Sequence, residues 1–229
     1  RERLSQLIEQ GHHVTEAHYY LGRIEDEAGN TELAIGYYDK VDEGKHYFPS
    51  LARASALRAE QGDLDDALAN LQELRSNNPD ESENFWLLEV NLLLDQERHE
   101  AALKTATEAL QAYPDNIRIR YARAMLHDSN GDIDQAEADL RKVLDENPDN
   151  AVALNALGYI LTTRTDRLDE ARAMIEQALE LDPGNPAILD SMGWVLFRQG
   201  NTESALDYLT QAWDTMPDPE VAAHLGEAL

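Results

Sequence analysis

Cysteine is missing altogether from the 229 residues. Its absence excludes disulfides and thiolate metal sites and leaves the redox compartment open, because a cysteine-free chain can live in either. Positive charge is scarce too: 19 Lys and Arg stand against 45 Asp and Glu, a formal −26 at pH 7. A surface of that sign repels phosphate backbones and anionic membranes, which argues against nucleic acid as a ligand. Long apolar runs are also lacking. The most apolar window, Val152 to Leu161, has Asn155 inside it and falls short of the ~18 to 20 residues a membrane-spanning helix needs.

Catalytic signatures are absent in the same way. The chain has no Cys nucleophile, no Gly-x-Ser-x-Gly elbow, no Ser/His/Asp set at a strained turn and no phosphate-cradling glycine loop, so the expectation is no enzyme and no cofactor. Seven histidines raise the question of metal, above all His12-His13. Neighbouring residues point apart, and no i, i+4 His/carboxylate pair stands in a sheltered position, so they read as surface polar residues and no metal is expected. Asp63-Leu64-Asp65-Asp66 lacks the glycine and downstream ligands of a calcium loop and reads as a helix start, where acids favour the dipole.

What the chain does have is a period. Pro79, Pro114, Pro148, Pro183 and Pro217 fall 35, 34, 35 and 34 residues apart. Ala34, Ala67, Ala102, Ala136, Ala171 and Ala205 keep the same beat at 33, 35, 34, 35 and 34. A fixed period of this size marks a stacked repeat array rather than one globular domain. The stretch Asn185 to Pro217 shows the unit: a helix over Ala187 to Arg198, a turn at Gln199-Gly200-Asn201, and a second helix over Thr202 to Thr215. In the first helix Leu189, Met192, Gly193 and Leu196 recur at helical spacing. Gly193 costs ~1 kcal/mol of helix propensity against Ala, so its place there implies a close helix contact, with Ala205 opposite. The turns at Gly29, Gly62 and Gly131 repeat the chemistry, Gly supplying a left-handed C-cap and the next Asn or Asp an N-cap. Asp95-Gln96-Glu97 lacks the glycine, and Thr163-Arg164-Thr165-Asp166 carries one extra residue.

This pattern resembles the tetratricopeptide repeat, a 34-residue helical hairpin with small residues at its eighth and twentieth positions and proline at its thirty-second. The eighth position reads Gly22, Ser55, Val90, Ala124, Gly158 and Gly193, and the twentieth is alanine in all six; Val90 fits least well, and His46 replaces the first proline. The resemblance implies an all-α fold, a right-handed α-solenoid of antiparallel helical hairpins. Six repeats are laid at about 15–47, 48–82, 83–116, 117–150, 151–185 and 186–218. Residues 219–229 then form the first helix of a seventh unit or a terminal, capping helix. Residues 1–14, starting on Arg1-Glu2-Arg3-Leu4 without Met, read as the closing helix of an upstream repeat, which makes a fragment the expectation.

A closer resemblance lies in the last two repeats and the C-terminal segment after them: Asn155-Ala156-Leu157-Gly158-Tyr159, Ile188-Leu189-Asp190-Ser191-Met192-Gly193-Trp194-Val195-Leu196, and Pro217-Asp218-Pro219-Glu220-Val221-Ala222-Ala223-His224-Leu225-Gly226. They are similar to the C-terminal region of proteobacterial periplasmic tetratricopeptide lipoproteins, among them adaptors of a carboxyl-terminal processing protease. That likeness implies a noncatalytic scaffold, tethered to the outer membrane by a lipid anchor outside this stretch, bringing protein substrates such as cell-wall hydrolases to a protease. Two alternatives stay open: a cytoplasmic co-chaperone or complex-assembly module, and a regulatory region of a larger enzyme.

By the same resemblance the second, fifth, ninth and twelfth positions of each repeat face a concave groove. They offer Tyr19 and Arg23, Asn91 and Leu94, Arg118, Tyr121 and Met125, Asn155 and Tyr159, then Asp190, Trp194 and Phe197. Aromatic faces supply contact area and amides grip backbone, which suits a protein or peptide segment. The acidity of the chain calls for a neutral or basic segment with apolar anchors. No pair of lysines stands beside Asn91 or Asn155, so a clamp for a C-terminal carboxylate is not the expected mode.

Overall fold

A computed structural model describes the whole chain, residues 1–229, and every regular element in it is helical. The helices gather into two compact units, Arg1–Pro114 and Asp115–Leu229. The first unit holds α1 (Glu2–Glu9), α2 (Val14–Glu27), α3 (Thr31–Tyr38), α4 (Tyr47–Glu60), α5 (Leu64–Asn77), α6 (Ser82–Asp95) and α7 (His99–Ala112), with a short 3-10 turn at Pro79–Glu81. The second holds α8 (Ile117–Ser129), α9 (Ile133–Glu146), α10 (Ala151–Arg164), α11 (Leu168–Leu181), α12 (Pro186–Arg198), α13 (Thr202–Thr215) and α14 (Pro219–Ala228). Helices α2 to α13 pair as six hairpins, each of a first and a second helix. The first helices α2, α4 and α6 start one residue ahead of the repeat boundaries drawn above, whereas α8, α10 and α12 start at Ile117, Ala151 and Pro186.

Local chemistry explains the element ends. Gly29, Gly62, Gly131 and Gly200 close first helices in the left-handed region, at φ of +74°, +102°, +80° and +84°. Where the glycine is missing, Glu97 takes the same conformation at φ +56°. Its N–H donates to the Leu94 carbonyl at 2.9 Å and the Arg98 N–H to Leu93 at 2.8 Å, the same double closure that Gly29 and Asn30 make. The longer turn after α10 instead uses Thr165, whose hydroxyl donates to the Leu161 carbonyl at 2.6 Å and accepts from the Arg167 N–H at 3.1 Å. In the second unit each prolyl segment delivers a side-chain N-cap. Asn116 accepts from the Ile119 N–H, Asn150 from Ala153, Asn185 from Ala187 and Asp218 from Glu220, at 2.8 to 3.0 Å. Those caps fix where α8, α10, α12 and α14 begin.

Close helix contact occurs where the small residues sit. A Cβ on Gly193 would lie 2.6 Å from Leu209 Cγ and 3.0 Å from the Ala205 carbonyl oxygen, and one on Gly158 2.5 Å from Ile175 Cγ1. At the misfit position Val90 is fully buried, so the α6–α7 hairpin accommodates a larger side chain. The second unit has a continuous core running from Ala124 through Leu140, Leu157 and Ile175 to Val195 and Ala205. The first contains smaller clusters, among them one around Ile35, Tyr38 and Leu57 and one around Leu71, Phe85 and Leu92.

One element departs from the period. Helix α3 has 8 residues, whereas α5, α7, α9, α11 and α13 have 14 each. After Tyr38 the chain leaves the helix, tucks Val41 into the core and turns at Gly44, φ +78°. Two histidines also depart from the surface reading, His18 and His224, which are buried, whereas His12 and His13 are exposed. His18 meets the ring of Tyr37 edge-on, and burial pushes its imidazole below the usual pKa.

Candidate protein-binding groove

In the second unit the first helices α8, α10 and α12, together with α14, wall a groove of about 400 Å³. The repeat period builds it. Tyr121, Asn155, Asp190 and His224 stand 34, 35 and 34 residues apart, one on each of those four helices. Met125, Tyr159 and Trp194 keep the same interval one helical turn further along. Identical register on successive first helices puts these side chains in rows, as the 3.6-residue period requires.

Five of the twelve residues singled out above line this groove: Tyr121, Met125, Asn155, Tyr159 and Asp190. Its apolar floor comes from Ile160, Ile188 and Val221, with the exposed Val152 and Met216 at the margins. Tyr121 is half-buried, and desolvation pushes its phenol above the usual pKa. The Asn155 Oδ1 is shielded from solvent and accepts no hydrogen bond from the protein. A shielded acceptor without a donor is costly, and an N–H from a seated main chain relieves that cost. Charge in the lining is of one sign: Asp128, Asp190, Asp218 and Glu220, with no Lys or Arg. Arg164, just outside, holds Asp128 at 3.0 Å.

Helix α14 closes one side through contacts that sequence reasoning missed. The Tyr159 hydroxyl donates to Glu220, and burial followed by that bond drives its pKa well above the tyrosine range. His224 Nδ1 lies 2.9 and 3.0 Å from the two carboxylate oxygens of Asp190, and its ring stacks on Trp194 at 4.2 Å with planes 17° apart. Trp194 stacks on Phe197 as well and is 9% exposed. This corrects the expectation of an open aromatic at that position: α14 covers Trp194, which serves packing. The signal for His224 was present, since it continues the Tyr121, Asn155, Asp190 interval.

The remaining candidates are scattered. Arg118 is exposed on the first turn of α8, outside the groove lining. In the first unit the Tyr19 ring stacks on His46 at 4.0 Å, and Arg23 pairs with Glu27 at 3.2 Å beside a small hollow of about 240 Å³. Asn91 and Leu94 line a separate hollow of about 290 Å³.

A helical-hairpin array with a groove across its first helices defines a class of repeat scaffold, and sequence comparison agrees. One tetratricopeptide repeat family model matches residues 1–46 and 121–186, and a second matches 58–126 and 163–228. The chain belongs to the tetratricopeptide repeat family, whose members are protein-interaction scaffolds. It is 42% identical over 214 residues to TPR repeat-containing protein PA4667 of Pseudomonas aeruginosa, a match that takes in 93% of this chain and 36% of that protein. The chain thus spans about a third of its relative's length. Among solved structures, a tetratricopeptide repeat protein from Parabacteroides merdae superposes with a TM-score of 0.67 at 16% identity, covering 100% of this chain and 86% of that one. TTC0263 of Thermus thermophilus gives 0.60 at 18% identity, over 79% and 98%. YrrB, described as a TPR protein with an unusual peptide-binding site, gives 0.53 at 19%, over 98% and 97%. At such identities these likenesses speak for the fold alone.

Proposed function

We propose that this chain is the recognition part of a noncatalytic adaptor, and that its second unit seats a protein segment in the groove between α8, α10, α12 and α14. The observation that carries the reading is the groove lining: aromatic and Met side chains beside a shielded amide acceptor, Asn155 Oδ1, that lacks a donor. Aromatics and Met give area and adaptability, and the amide engages main chain at any sequence. The all-acidic lining selects a neutral or basic segment with apolar anchors. The finer reading rests on the likeness of the last repeats to periplasmic tetratricopeptide lipoproteins. On it, the full protein is tethered to the outer membrane and presents cell-wall hydrolases to a carboxyl-terminal processing protease.

The test is a titration of the chain against the purified processing protease and a cell-wall hydrolase of the same host, with Asn155→Ala, Met125→Ala and Tyr121→Ala beside the parent. At least one variant is expected to weaken one of the two partners by about tenfold or more with helicity retained, each side chain contributing up to ~2 kcal/mol if it is a hot spot. Absence of saturable binding to either partner sinks the adaptor reading. Binding that ignores all three substitutions sinks the groove. Fractionation of the native host, with the protein recovered from outer membrane or from cytoplasm, decides the compartment.

A further inference from the structure

Beside the early end of α3 the first unit has an open cavity of about 560 Å³, between the end of α3, the following connection, α4 and α5. A furrow of the same kind lies between α11, α12 and α13, where the second helix has full length, and it measures about 410 Å³. By the alanine register Leu189 and Ala212 of the second unit correspond to Leu51 and Leu74 of the first. Leu189 and Ala212 are buried, with Leu179 from the last turns of α11 packed against them. Asp42 occupies the register of Leu179 and is exposed, while Leu51 and Leu74 are only half-buried and line the cavity. The first unit therefore lacks the helical turns that elsewhere cover this position.

Charge narrows what fits there. Asp39, Asp42 and Asp66 line the cavity with a single cation, Arg58, and Arg58 is already held by Asp39 at 2.5 Å. We propose that this cavity is a docking site for an amphipathic helical segment of a partner protein, which supplies the turns missing from α3. Such a helix lays aliphatic side chains on Leu51, Leu74 and Tyr47 and directs a Lys or Arg at Asp42 and Asp66. Apolar contact gives the affinity, and the unpaired carboxylates reject an acidic helix, since like charges brought together are costly. The site is independent of the groove in the second unit and gives a scaffold a second point of attachment.

The experiment measures fluorescence anisotropy of labelled, helix-stapled peptides against the whole chain at physiological salt. Three probes are used: one with Leu at i and i+4 flanked by Lys, the same peptide with Glu for Lys, and a sequence-scrambled Lys peptide of equal charge. The Lys amphipath is expected to bind saturably and at least about tenfold more tightly than either control. All probes are titrated against a chain carrying Met125→Ala, so that binding in the other groove does not mask the effect, and there the exposed substitutions Asp42→Lys and Asp66→Lys together should weaken the Lys amphipath about tenfold or more. Several results overturn the proposal: no saturable binding, equal affinity of the scrambled cation, or indifference to Asp42→Lys/Asp66→Lys. Sedimentation velocity on the chain alone adds one more. A dimer that dissociates on Asp66→Lys assigns the cavity to self-association instead.

Discussion

Glycine to alanine inside a helix ordinarily stabilises by ~1 kcal/mol, because Gly has more chain entropy to lose on folding. Gly36 and Gly193 are both helical, and the same substitution is expected to have opposite signs at the two. Nothing lies within 4 Å of a Cβ built on Gly36, which is exposed on α3, so Gly36→Ala should gain up to ~1 kcal/mol. On Gly193 the new Cβ meets Leu209 Cγ at 2.6 Å and the Ala205 carbonyl oxygen at 3.0 Å. Neither is a free side-chain end: Cγ is a branch point and the carbonyl is backbone. Overfilling a close contact costs ~1 to 3 kcal/mol, which offsets the propensity gain and leaves Gly193→Ala destabilised by roughly 0 to 2 kcal/mol. Gly193→Leu should fall further. Urea unfolding by far-UV circular dichroism gives the midpoints, and hydrogen exchange of α12 amides reads the local effect, since a repeat array can open piecewise. A Gly193→Ala midpoint raised as far as that of Gly36→Ala would refute the close-contact argument. Pairing Gly193→Ala with Leu209→Ala, which removes the γ carbon, should show favourable coupling between the two changes.

Two more predictions rest on single residues. Glu97 holds a left-handed conformation, φ +56°, that costs an L-residue ~1 to 2 kcal/mol, so Glu97→Gly should raise the urea midpoint by up to ~1 kcal/mol once the entropy of the new glycine is deducted; a lowered midpoint would show that the turn carries no such strain. Glu89 is buried on α6, and desolvation pushes its carboxyl up to about 7 although Arg75, 2.9 Å away, opposes the rise. A raised carboxyl pKa means the folded state binds the proton more tightly than the unfolded one, so this residue's contribution falls as pH climbs from about 4.5 to about 7, by roughly 1 to 3 kcal/mol. Glu89→Gln should flatten stability over that window relative to the parent, as read by unfolding at matched pH values, and parallel profiles would contradict it.

Much of the architecture was legible because it is periodic. Proline cannot continue a helix and Asn or Asp can cap the next, so Pro114, Pro148, Pro183 and Pro217 with their following Asn116, Asn150, Asn185 and Asp218 both break and restart the chain. The alanine ladder marks close helix contacts for the same reason in every repeat. The short α3 was not legible. The 33-residue step from Ala34 to Ala67 differs from its neighbours by one or two residues, while the helix ends six residues early. No proline stands at the break; burial of Val41, a tertiary gain, holds the connection out of helix.

The groove shows the same division between what period conveys and what tertiary contacts decide. Period alone aligned Tyr121, Asn155 and Asp190, and equally Met125, Tyr159 and Trp194, because each row repeats one register on successive first helices. Within a row every residue looks equivalent in sequence, yet Met125 and Tyr159 line the groove while Trp194 lies under a neighbouring helix. The difference is α14, which packs on α12 and α13. His224 takes both Asp190 oxygens and the Trp194 face, and Glu220 takes the Tyr159 hydroxyl. The groove is therefore composite. Residues laid down by the repeat provide its floor and rows, and a helix outside the six hairpins sets how much of the final rows stays open.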